Sequence, residues 1–251
     1  MPTQTYQIGE TARLVIGDCH GDLKIEQWDQ RAIEVHSRGE ISDIRETSDA
    51  LTIESVEEDL RLRLPADADV SIDRVHGDAD IRGIETLQIS RVDGDCALEQ
   101  IAGTARLRRI DGDLRARTIG MIETGQLEGD LALTDAQTAK FGDVGGDAVL
   151  RGVTETLRFG NVGGDLSLRG GERLDVAGGG VGGDAALHNA AIIQLGEIGG
   201  DFAIDSVAGD LRLGNIGGDA AINNIGGALH MGNISGDAGL SRISGGMSIG
   251  N

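Results

Sequence analysis

The sequence predicts an all-β chain, a two-sided parallel β-solenoid with 17–19 residues per turn and a divergent N-terminal β cap. Three observations carry that expectation. A Gly-Asp pair recurs through most of the chain, the composition is rich in glycine and poor in aromatics, and nothing approaches a ten-residue helical stripe.

The repeat is the strongest of the three. Aspartates fall at Asp78, Asp95, Asp113, Asp130, Asp147, Asp165, Asp184, Asp201, Asp219 and Asp237, at intervals of 17, 18, 17, 17, 18, 19, 17, 18 and 18 residues. A weaker copy lies inside each interval, so Val75, Ile84, Val92, Ile101, Ile110, Ile119 and Leu127 head successive half-turns. A typical unit reads Ile216-Gly-Gly-Asp-Ala-Ala-Ile222, then Asn223-Asn224 and the next head, Ile225. Positions five and seven are apolar and position six lies between them, which is the two-residue period of a short strand. The glycines at two and three, and Asn at nine, are expected to supply turn residues with positive φ.

Glycine, 41 residues of 251, is more than twice its roughly 7 % background, while Pro2 and Pro65 are the only prolines. That excludes collagen, which needs proline, and a Gly/Ser linker, which lacks spaced Ile and Val. With three Phe, one Trp and one Tyr, the interior must be built from Val, Ile, Leu and Ala. Two core ladders follow from the period. One runs Cys96, Leu114, Leu131, Ala148, Leu166, Ala185, Phe202, Ala220 beside Ile81, Leu98, Ala116, Leu133, Leu150, Leu168, Leu187, Ile204, Ile222 and Leu240. The other pairs Leu87 with Ile89, Ala139 with Phe141, Leu157 with Phe159, Leu174 with Val176, Ile193 with Leu195, Leu211 with Leu213, and Leu229 with Met231.

Two regions are expected, 1–66 as an N-terminal β cap or irregular first turns and 67–251 as the regular solenoid. In the first, Leu14, Ile16, Leu23, Ile25, Ile33, Val35, Leu51, Ile53, Leu60, Leu62 and Leu64 suggest strands with irregular, highly charged links. Such a segment can block the exposed strand edge, with Trp28 helping to close it.

The faces of the coil differ. On the first side the outward position reads Asp80, Ala97, Arg115, and then Ala132, Val149, Ser167, Ala186, Ala203, Ala221 and Gly239, uncharged in a chain that is 25 % charged. On the second it reads Gln88, Arg106, Glu123, Lys140, Arg158, Asp175, Gln194, Arg212, His230 and Ser248, a solvated coat. Ala132 to Gly239 is a candidate lateral docking surface, and small residues that a tight coil tolerates are the competing explanation. A candidate end interface comprises Leu240, Ile243, Met247 and Ile249, because the repeat runs to Gly250-Asn251 without a proline, helix or charged tail.

Chemistry is sparse. His20, His36, His76, His188 and His230 form no close metal motif, no Gly-x-Ser-x-Gly elbow is present, and the Gly-Gly pairs lack a phosphate loop's Gly-Lys-Ser/Thr ending. Cys19 and Cys96 match no metal or redox spacing, and Cys96 falls at a core position. No catalytic, cofactor-binding or metal residue is therefore assigned, and no enzyme is expected. For the aspartates two roles stay open: accepting hydrogen bonds from neighbouring turn N–H groups, or binding divalent cations weakly. The net charge of −20 opposes nucleic acid and anionic membranes, and no apolar run predicts membrane insertion. The opening Met1-Pro-Thr-Gln lacks a signal peptide, which predicts a cytoplasmic protein.

Through its Val/Ile-x-Gly-Asp-x-x-Leu units, with Gly21-Asp-Leu-Lys-Ile25 before Trp28 and Leu60-Arg-Leu-Arg-Leu-Pro65, the chain resembles a bacterial family described as adhesins, of undetermined function. The resemblance covers about residues 10 to 251. It implies repeated parallel β-structure and brings no catalytic residues. The architecture is also similar to bactofilins, cytoskeletal β-helices that polymerise end to end, from which the long N-terminal cap and the two-sided period depart. The expected function is a non-enzymatic scaffold, a homo-oligomer with a tail-to-tail dimer favoured. The alternative is an adhesin-like binding module for another protein or a surface.

Overall fold

The computed structural model describes residues 3–9, 12–47 and 50–250. Met1, Pro2 and Asn251, named above for the two ends of the chain, lie outside the described residues. The chain is all-β, without a helix among the described residues, and forms parallel β-solenoid, about ten turns in all. Its contacts separate two compact units, Met1–Leu127 and Glu128–Asn251, and the change of composition near residue 66 lies inside the first.

In the second unit Leu131–Phe141 and Ala148–Phe159 each run through both sides of a turn, and the turns from Leu166 to Arg212 supply one short strand to each side. On the first side the core register runs Leu131, Ala148, Leu166, Ala185, Phe202, Ala220, all of them buried. Phe202 is the bulkiest fully buried side chain among the described residues and lies between two alanines, so neighbouring turns share a fixed volume. Backbone bonds at constant length join the turns, as Leu166 N–H to Asp184 O and Phe202 N–H to Asp219 O show, both at 2.8 Å.

On the second side the structure corrects the expected register at one turn. Leu157 pairs with Val176 rather than Leu174, and Val176 in turn with Ile193. The outward position there is Ala177, between Arg158 and Gln194, and Asp175 aligns instead with Thr156 and Ile192. The cause is the long link through Gly170-Gly171-Glu172-Arg173 in the 19-residue interval, which displaces the strand Asp175–Gly178 by two residues. Phe159 then lies over Gly178, where a Cβ would strike its ring. Leu174 is buried outside the ladder.

The first unit shows what the irregular N-terminal segment does. Strand Arg13–Cys19 lies parallel between Ala50–Val56 and Asp69–Val75, and Leu23–Gln27 lies parallel between Leu60–Leu64 and Ala79–Ile84. The first coil is therefore an inner one, and the coil made by residues 50–64 lies outside it. Its outer edge is covered by antiparallel strands: Ala32–Ser37 pairs with Leu60–Leu64, and Ile41–Glu46 with Ala50–Val56. Thr3–Gln7 adds a further antiparallel strand. This is a cap in the physical sense, since antiparallel pairing ends the parallel stack. Trp28 is half-buried there, its Nε1–H donating to Ala32 O at 2.7 Å. Both cysteines are free and buried. Burial, with Asp80 and Asp95 adding to it, pushes the Cys96 thiol up to about 12; burial likewise raises Cys19 to about 11.

The glycines act differently from expectation. Among the described residues positive φ occurs at Gly83, Gln100, Thr118, Asp135, Gly152, Asn189, Asn224 and Arg242, the position just before a half-turn head, and at Asp43 in the cap. The Gly-Gly pairs are not left-handed. They are glycine because the preceding turn passes too close: a Cβ on Gly163 would strike Gly145 O, and one on Gly164 would strike Asp147 Oδ1.

Candidate interface surfaces

That last contact reveals the use of the aspartates. In the second unit the backbone N–H of each Asp donates to Oδ1 of the Asp one turn earlier: Asp147 to Asp130, Asp165 to Asp147, Asp184 to Asp165, Asp201 to Asp184, Asp219 to Asp201 and Asp237 to Asp219, at 2.7–2.8 Å. The first unit repeats the pattern at Asp78, Asp95 and Asp113, at 2.8–3.0 Å. Charge-assisted bonds of this kind are roughly twice as strong as neutral ones and satisfy a corner N–H that has no strand partner. A second corner carries a similar column, Asn161 N–H to Asp143, Gly180 N–H to Asn161 and Asn233 N–H to Asn215, and the half-turn headed by Val207 and Ile225 adds Ala228 N–H to Asp210, all at 2.7–2.9 Å. Its signal was the recurrence of Asn and Asp at these corners, read only as turn chemistry. Among the described residues no three His, Cys, Asp or Glu side chains are placed to hold a metal ion.

Arginine–aspartate pairs stand beside this ladder in the first unit. Arg74, Arg91 and Arg109 stand in register on successive turns. Asp93 bonds Arg74 at 2.7 Å and Arg91 at 2.5 Å; Asp111 bonds Arg91 at 2.5 Å and Arg109 at 2.6 Å. Partial burial pulls the Asp93 carboxyl up, but its bonds to Arg91 and Arg74 outweigh that and hold it below the usual carboxylate range.

The structure places Ala132, Val149, Ser167, Ala186, Ala203, Ala221 and Gly239 in one unbroken line, each in direct register with the next and each exposed. Toward its C-terminal end the line forms a shallow groove of about 620 Å³ with Asp205 and Asn223 along its rim. The residues of the expected end interface also come together. Leu240 and Ile243 are half-buried, Met247 is 51 % exposed and Ile249 39 %. Their register partners one turn earlier, Ile222, Ile225, Leu229 and Met231, are all buried.

A parallel β-solenoid with stacked corner carboxylates and two candidate contact surfaces is thus the class of object that fold and surface define. No family model, curated protein or solved structure matches the chain. Among the described residues no helix is long and apolar enough to cross a membrane.

Proposed function

We propose that this chain is a non-enzymatic structural scaffold whose copies pair tail to tail through the face of the last described coil. The observation that carries the reading is the exposure of core positions Met247 and Ile249 above the buried Leu229 and Met231. Strands Ala238–Ile243 and Met247–Ile249 pair on one side only among the described residues, so a row of N–H and C=O groups accompanies the apolar face. A two-fold axis lets one such face cover another and closes the assembly at two copies, while the cap at residues 32–46 opposes stacking on the other end coil. The face is one coil in cross-section, and a concentration series through the micromolar range is where its pairing is to be sought.

Sedimentation velocity over a concentration series tests this. The parent chain is expected to shift from monomer to dimer, and Met247→Lys with Ile249→Lys is expected to leave a monomer with unchanged β-sheet circular dichroism. A dimer population untouched by those substitutions would sink the end interface, and a parent that stays monomeric across the micromolar range would sink the scaffold.

A further inference from the structure

Strand Leu60–Leu64 carries Arg61 and Arg63 outward, with Leu23–Gln27 along one edge and Ala32–Ser37 along the other. Register sets Lys24 and His36 directly opposite Arg61, and Glu26 and Glu34 directly opposite Arg63. The row through Arg63 alternates in sign and satisfies itself: Arg63 reaches Glu34 at 3.2 Å, and Glu26 takes the Lys24 ammonium at 2.6 Å. The row through Arg61 does not. Arg61 is exposed and has no hydrogen bond or ion pair among the described residues. His36 is occupied on both ring nitrogens, by Thr3 Oγ1 and Glu34 Oε1, each at 3.0 Å. Directly opposite side chains start from Cβ atoms about 5 Å apart, where like charges cost stability. Across the strand pair Arg61 faces Lys24, which has Asp80 opposite it on its other side.

These rows border a cleft of about 270 Å³ whose charged lining is Lys24, Arg38, Arg61 and Arg63 against Glu26 and Asp59. Asp59 is taken by Arg38 at 3.2 Å and by the Asp22 N–H at 3.2 Å. Both carboxylates are thus committed, and the cationic excess is centred on Arg61.

We propose that this cleft binds a phosphate-type oxyanion, with the Arg61 guanidinium as principal ligand and Lys24 and Arg38 beside it. A guanidinium offers five N–H donors in a planar fork that matches two oxygens of a phosphate, and Arg61 spends none of them among the described residues. Lys24 and Arg38 keep donors beyond those given to Glu26 and Asp59. A tetrahedral dianion supplies acceptors to all three and relieves the Lys24–Arg61 repulsion. The volume suits inorganic phosphate or the head of a phosphomonoester and falls below the roughly 300–1,000 Å³ of drug-sized pockets. This binding is independent of the pairing proposed above, because every residue in it lies between Asp22 and Arg63.

Calorimetric titration of the full chain with inorganic phosphate and, separately, with O-phosphoserine tests it in phosphate-free buffer. Saturable binding of either probe is expected, and tighter binding of phosphoserine points to a phosphomonoester as the source. Arg61→Gln is expected to weaken binding at least tenfold, Arg61→Lys by a smaller factor, and Arg169→Gln, an exposed arginine of the other unit, by less than twofold. Without phosphate the melting temperature of Arg61→Gln should equal or exceed that of the parent, since a repulsive neighbour has been removed. No saturable binding up to 10 mM of either probe, on the order of the weakest specific affinities, would overturn the proposal. Equal losses in Arg61→Gln and Arg169→Gln would do the same by showing a diffuse charge effect. A melting temperature that falls in Arg61→Gln without phosphate would assign Arg61 a structural role instead.

Discussion

At the scale of single residues the repeat tolerates few exceptions, and Thr124 is the clearest. It stands in register with Leu107 in a core slot, is 7 % exposed, and its Oγ1 is buried without a hydrogen-bond partner. An unsatisfied buried hydroxyl costs about 1–3 kcal/mol, whereas the isosteric methyl of valine costs nothing to desolvate. Thr124→Val is accordingly expected to stabilise the protein by about 1 kcal/mol, read as a higher denaturant midpoint at an unchanged m-value. Asp93 makes the opposite case. Its folded carboxyl titrates below the unfolded value of about 3.9, so the stability it contributes is present above that pH and is lost as pH falls through the folded value. Asp93→Asn should therefore reduce stability at pH 7 and flatten the acid limb of the stability curve below about pH 4, which urea unfolding at a series of pH values would reveal. A parallel acid limb in the variant would show that Asp93 carries no linkage.

Gly-Asp is the element of this fold, and its two residues depend on each other across turns. The Asp184 carboxylate accepts from Asp201 N–H at 2.7 Å, and it reaches that donor by crossing the space a Cβ on Gly200 would fill. A substitution at Gly200 thus displaces the carboxylate one turn away. Gly200→Ala is expected to cost about 1–3 kcal/mol through overpacking, and Asp184→Ala about 0.5–1.5 kcal/mol through the lost bond. In the double variant part of the obstruction has gone, so the cost should fall short of the sum by at least about 0.5 kcal/mol. Additive costs in equilibrium unfolding would mean that the backbone of Gly183, not the Asp184 side chain, is what excludes a Cβ. The periodicity, the two core ladders and the outward stripe were legible in the sequence because a solenoid repeats each environment every 17–19 residues, so one assigned position assigns its column. The displaced register at Val176 was not, because the extra residue sits in a polar link that a hydrophobic pattern cannot place. The inner position of Arg13–Cys19, and the antiparallel strands that bring Lys24, Arg61 and His36 together, were hidden for a related reason. Those pairings happen once, and a single occurrence leaves no period to read.

For the whole molecule the proposed pairing has two candidate surfaces, and they differ in physics. The coil face offers apolar side chains and unpaired strand groups, while the line from Ala132 to Gly239 offers small side chains in a shallow groove with Asp205 and Asn223 on its rim. Small exposed residues bury little area each, so the line gains by close approach over several turns and loses steeply to one bulky charge. Ala186 and Ala203 lie in direct register at its middle, with no charge between them. Replacing both by Glu sets like charges about 5 Å apart on one copy and, in a docked pair, against the partner's stripe, while the exposed side chains leave the core untouched. In the parent background these substitutions are expected to leave the dimer fraction within about twofold if the end face carries the proposed pairing, a difference of about 0.4 kcal/mol at most. In the Met247→Lys, Ile249→Lys background they should change nothing further. Light scattering at matched concentrations distinguishes the outcomes: dimers that survive the end-face substitutions and disappear only with Ala186→Glu and Ala203→Glu would transfer the interface to the stripe. The chain would then be a lateral scaffold, built side by side through the uncharged line from Ala132 to Gly239.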